Sequence, residues 1–122
     1  MRLTQSKGDI AFTQAVASFT KLGWDVSLPV TESAAYDLIV DTTEEIKRVQ
    51  VRFTSTGEVD LSRVHSNSQG YVVKKTRKNA YDWLYILKAD GGEFLIKECM
   101  SGRRSMVPNP VHSLSRCIKL VN

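Results

Sequence analysis

Apolar residues recur at Phe12, Ala15, Val16, Phe19 and Leu22, with mostly polar positions between them. Spacings of three and four gather these side chains on one side of a helix, so the pattern predicts an amphipathic helix over residues 8–22. Ser6 is the expected N-cap, Asp9 suits the positive end of the helix dipole, and Gly23 is placed to end the helix. The period then shortens to two. Residues 24–29 alternate apolar and polar and predict a strand closed by Pro29. A polar loop over 31–35 leads to a second strand over 36–41, a turn over 42–45, and a third, β-branched strand over 46–54.

Beyond residue 54 the pattern loosens. Residues 55–69 hold Gly57 and many small polar side chains, which suggests a short strand running into a loop, and 71–73 reads as another brief strand. Residues 83–87 and 93–97 flank Ala89-Asp90-Gly91-Gly92, a hairpin signal. The aromatic run from Trp83 to Tyr85 fits a core strand better than a surface for stacking bases. The tail from Ser101, with Arg103, Arg104, Pro108 and Pro110, has no assignable period.

Composition narrows the function classes. A chain of 122 residues suffices for one domain, here expected to span 1–122, and 42% hydrophobic with 25% charged residues is ordinary for a globular protein. No apolar run approaches the roughly 18 residues of a membrane span, and the N-terminus lacks a signal-like apolar core, so a cytoplasmic protein without a membrane partner is expected. Cys99 and Cys117 are too few for a disulfide framework or a zinc site and read as reduced thiols. With His65 and His112 the only histidines, a metal here would be held by oxygen, which points to Mg²⁺ with Mn²⁺ as the second option. The net charge of +4 matters only through where it sits.

It sits in part on the third strand. Val49, Val51 and Phe53 share one face, which belongs to the core, and Arg48, Gln50, Arg52 and Thr54 share the other, expected on the surface. Asp37 opens the preceding strand, and a hairpin brings it alongside Gln50. This arrangement resembles the PD-(D/E)XK nuclease motif, in which an acid opens one strand and an acid or glutamine lies two residues before a lysine on the next. The resemblance extends to Lys7-Gly8-Asp9-Ile10, Leu28-Pro29, Tyr36-Asp37-Leu38-Ile39-Val40 and Val49-Gln50-Val51. Together these look like the branch that holds a cyanobacterial group I intron homing endonuclease, which uses glutamine in place of the usual acid. Residues 7–54 carry it, with weaker support from Tyr81-Asp82-Trp83.

The resemblance implies a restriction-endonuclease-like α/β fold, with the N-terminal helix on a mixed central sheet. It also implies metal-dependent hydrolysis of DNA phosphodiesters by a homing or restriction-type endonuclease. Asp37, the Gln50 side-chain oxygen and the Val51 carbonyl would hold the metal, and Asp37, Gln50 and Arg52 would form the catalytic set, Arg52 stabilising transition-state charge. Two residues depart from the pattern. Phe12 stands where the family has a glutamate, four residues after the helix glycine, and Arg52 stands for the motif lysine, keeping charge but carrying protons poorly. Duplex DNA is the expected partner, gripped at phosphates by Arg48, Arg63, Lys74, Lys75, Arg77 and Lys78. Asn67 and Gln69 are candidates to read adenine edges, and His65 a lesser candidate proton carrier. Cutting both strands calls for two sites, hence a twofold homo-oligomer, a dimer or a dimer of dimers. The alternatives are a DNA-binding relative that no longer cuts, which Phe12 and Arg52 motivate, and a basic module for another partner.

Overall fold

The computed structural model describes residues 3–61, 63–67, 70–74 and 79–114. Its first element is helix α1 (Leu3–Lys21), followed by strands β1 (Asp25–Ser27), β2 (Leu38–Asp41) and β3 (Ile46–Thr54). Then come β4 (Val59–Asp60), β5 (Arg63–Asn67), β6 (Gly70–Lys74), β7 (Trp83–Lys88), β8 (Glu93–Ile96), β9 (Ser105–Met106) and a 3₁₀ turn over Pro110–His112. Five strands form one sheet in the order β1-β2-β3-β7-β8. Its neighbours are antiparallel except β3 and β7, which run parallel from Val49↔Trp83 to Thr54↔Lys88. The expected helix on a mixed central sheet is therefore present.

The N-terminal boundary of the helix differs from expectation. It begins at Leu3, so Ser6 lies inside it and does not cap it, and Asp9 lies beyond the first turn, which holds no acid. The stretch Thr4–Lys7 contains no breaker, and the backbone ladder runs on through Gly8 despite that residue's low propensity. The far end behaves as expected. Gly23 takes φ 83°, its N–H donates to the Thr20 carbonyl (3.0 Å), and the Trp24 N–H donates to the Phe19 carbonyl (3.1 Å). This is a Schellman motif, closed by the apolar contact it calls for: the Phe19 and Trp24 rings stack with centroids 5.5 Å apart.

Two apolar clusters lie on opposite faces of the sheet. Under α1, Ala11, Ala15 and Phe19 pack on Leu38, Val40, Val49, Val51, Trp83 and Tyr85. Across the sheet, Leu84, Ile86 and Ile96 pack with Val59, Leu61, Tyr81, Met100 and Met106. Strand β7 feeds both clusters, so Trp83 and Tyr85 are core residues, 3% and 0% exposed. The second cluster corrects one expectation. The polar row of β3 is not an open surface: Arg48, Gln50 and Arg52 are half-buried, and Thr54 is buried, donating to the Glu58 carbonyl (2.6 Å). Residues 99–106, unread in the sequence, supply much of that cover through Met100 and the β4–β9 pair.

Candidate active site

Strand β3 has two unlike edges. Toward β7 its ladder runs unbroken from Arg48 to the strand's end, from the Asp82 N–H on the Arg48 carbonyl (2.9 Å) to the Ala89 N–H on the Thr54 carbonyl (3.0 Å). The even-numbered residues of β3 therefore point their backbone groups at β7, and by alternation Val49, Val51 and Phe53 point theirs at the β2 side. There the strand pairing stops at Leu38↔Val49. Asp37 makes the last backbone bond, donating its N–H to the Val49 carbonyl (2.9 Å), and the chain before it veers away. Within the described strands, β3 has no neighbour on that side from Gln50 to Thr54.

The Asp37 carboxylate sits at this fork. Its Oδ2 accepts from the Val51 N–H (2.7 Å) and from the Gln50 side-chain amide (2.9 Å), so the side chain replaces the strand that has left. The fork thus brings Asp37, Gln50 and Val51 together. With its nitrogen committed to Asp37, the Gln50 amide has its oxygen available for another partner. The Val51 carbonyl lies on the same unpaired edge and accepts from Arg52 Nη1 (3.1 Å), which holds the guanidinium over the fork. Asp37 lines a cavity of about 340 Å³ with Phe12, Leu28, Glu32 and Tyr36, and Val51 and Arg52 line another of about 410 Å³. Phe12, half-buried against the first core cluster, thus shares a cavity with Asp37 from the position where the family motif has an acid.

Asp37, Gln50 and Val51 offer one carboxylate, one amide and one carbonyl oxygen, a hard donor set suited to Mg²⁺ or Mn²⁺. Among the described residues no group of three or more His, Cys, Asp or Glu could hold a metal, so the amide and carbonyl oxygens are essential to any such site.

Arg48 has an intramolecular partner. Its Nε and Nη2 donate to Asp82 (3.2 and 3.3 Å), the Arg48 N–H adds a bond to the same carboxylate (2.9 Å), and the guanidinium lies over the Tyr36 ring. The hydrogen bonds from Arg48 hold the Asp82 carboxyl below its ordinary range, and Asp82 in return raises Arg48. Of the remaining expected DNA contacts, Arg63 and Lys74 lie opposite each other in the β5–β6 ribbon, whereas Lys75, Arg77 and Lys78 lie outside the described residues. His65 and Asn67 are ribbon residues opposite Val72 and Gly70, and Gln69 is outside the described residues, as is Cys117.

One polar network escaped sequence reasoning. Glu93, at the start of β8, is 8% exposed and accepts from the Tyr85 hydroxyl (2.7 Å) and from the Ser18 hydroxyl on α1. Burial, and then the hydrogen bond to Glu93, push the Tyr85 phenol far above its ordinary range. Such a network fixes α1 on the sheet at a distance in sequence that no local pattern reveals. A glutamate next to a Gly-Gly turn reads as solvated.

Comparison with known proteins places these features in context. A family model described as PD-(D/E)XK endonuclease matches residues 2–97. The solved structure of a bacterial homing endonuclease, I-Ssp6803I, superposes with a TM-score of 0.69 at 23% identity, covering 98% of this chain and 94% of that one. Among curated proteins, no match is found. No helix among the described residues is long and apolar enough to cross a membrane.

Proposed function

The chain belongs to the PD-(D/E)XK endonuclease family, and from that premise we propose that it binds duplex DNA and hydrolyses phosphodiester bonds with a divalent metal at the β2–β3 fork. The observation that carries the proposal is the convergence of Asp37, Gln50 and Val51 where β3 loses its neighbour. An unpaired strand edge presents backbone oxygen to a ligand while the rest of the strand stays rigid, which is what positioning a reacting phosphate requires.

A Mg²⁺ ion, or Mn²⁺ in its place, would supply Lewis acidity at the phosphate and lower the pKa of a bound water. The chain does the rest. Asp37 would provide the anionic ligand, the Gln50 and Val51 oxygens would complete the protein donors, and Arg52 would turn its fork from the Val51 carbonyl to the phosphate, offsetting developing charge. Arg48, Arg63, Lys74, Lys75, Arg77 and Lys78 grip backbone phosphates, Arg48 with the part of its fork not spent on Asp82. A twofold homo-oligomer places one such site on each strand, and the homing-type reading follows from the likeness to I-Ssp6803I.

Mn²⁺ titration followed by electron paramagnetic resonance tests the metal assignment. One site per chain is expected, lost in Asp37→Ala and weakened in Gln50→Ala. Equal binding by wild type and Asp37→Ala would sink it. Phe12 favours a second reading, a relative that binds DNA without cutting. In that case Phe12→Glu with Arg52→Lys should create nicking that the wild type lacks, and a wild type that already nicks excludes it.

A further inference from the structure

We infer that Lys7 is a phosphate-binding residue of this site, taking the DNA backbone phosphate next to the cleaved bond. The inference rests on the nuclease reading above and gives a role to a residue outside the proposed catalytic and metal-binding set. Lys7 lies one helical turn before Ala11, which is 0% exposed, so it continues the core-facing stripe of α1 beyond the end of the core. A lysine on that stripe must reach out along the sheet to keep its ammonium hydrated. Its Nζ lies 5.7 Å from the centroid of the Phe53 ring, on the unpaired stretch of β3.

Phe53 is two residues beyond Val51, one step of the strand repeat, so its backbone stands about 7 Å along the edge from that of Val51. Lys7 also lines the cavity of about 410 Å³ that Val51 and Arg52 line. Among the described residues no carboxylate forms an ion pair with it, although Glu58 and Asp60 border the same cavity. An aromatic face holds a lysine in place without neutralising it, so its charge stays on offer to an anion. A strand of DNA laid along the open edge of β3 would meet the Asp37 fork and then Lys7.

Binding of a random-sequence duplex is measured in Ca²⁺ buffer over a salt series, for wild type, Lys7→Gln and Lys7→Arg. Each phosphate contact contributes about 0.9 to the slope of log affinity against log salt. Lys7→Gln should flatten the slope by about that amount, and Lys7→Arg should restore it. A wild-type slope in Lys7→Gln, with the protein folded by circular dichroism, overturns the inference and leaves the nuclease reading standing. Wild-type binding that does not weaken with salt overturns both. A flattened slope that Lys7→Arg does not restore assigns the loss to packing on Phe53 and also overturns it.

Discussion

The two edges of β3 differ in kind: one is paired along β7, and the other is where the proposed chemistry lies. Along β7 the ladder is paired from Val49 to Thr54, β7 itself is buried from Trp83 to Leu87, and Asp82 staples the lower end through Arg48. Along the other edge the pairing stops at Val49, and a carboxylate, an amide and a carbonyl occupy the gap. Adjacent residues illustrate the contrast: Leu38, 0% exposed, is the last paired residue of β2, and Asp37 is the first beyond it. The fully paired edge supplies the rigidity that the open edge uses.

Neighbouring substitutions should have contrasting signatures. Asp37→Ala should reduce cleavage by roughly three orders of magnitude or more, because it removes the carboxylate at the fork, and should cost less stability than Leu38→Ala, about 1 kcal/mol for the Val51 N–H left without its acceptor. Leu38→Ala should do the reverse. It empties a fully buried site and should cost about 3 kcal/mol in chemical denaturation, while the folded fraction keeps its rate. Comparable losses of stability in both variants would erase the comparison.

The paired side can be probed more finely. Tyr85→Phe removes one of two hydroxyls from the buried Glu93 carboxylate and should cost about 1–2 kcal/mol, seen as a lower urea midpoint at constant m-value. Asp82→Asn is the mildest change, about 1 kcal/mol, since the ion pair is one-third exposed. Its signature is the pH dependence. The Asp82 carboxyl is depressed in the fold by Arg48, so its contribution is complete above the ordinary carboxylate value near 4 and fades as pH falls through the depressed one. The difference in stability between wild type and Asp82→Asn should therefore shrink in acid, and a constant difference would contradict the clamp.

What was legible in the sequence follows the same division. The period-3.6 stripe on α1, the β-branched run of β3 and the Asp-Gly-Gly turn before β8 are local signals, and each element is present, although the helix reaches back to Leu3. The joining of Asp37 to Gln50 was legible because one hairpin connects their strands. The parallel pairing of β3 with β7 was not, since it joins segments some thirty residues apart and leaves no local period. Neither was the second cluster, whose cover comes from the aperiodic residues 99–106, and that is why the polar row of β3 read as open surface. The cap went astray for a different reason: Ser6 suits a cap, but nothing before it breaks a helix.

The central claim is that the open edge of β3 is a metal-dependent phosphodiesterase centre. Nicking of a supercoiled plasmid library carrying random inserts, with Mg²⁺, Mn²⁺ or chelator, in wild type and Asp37→Ala, tests it most directly. The account predicts nicking by the wild type with either metal, none with chelator, and none by Asp37→Ala under any condition. Nicking that survives the chelator or the Asp37→Ala substitution, or a wild type that leaves the library intact with both metals, would contradict it.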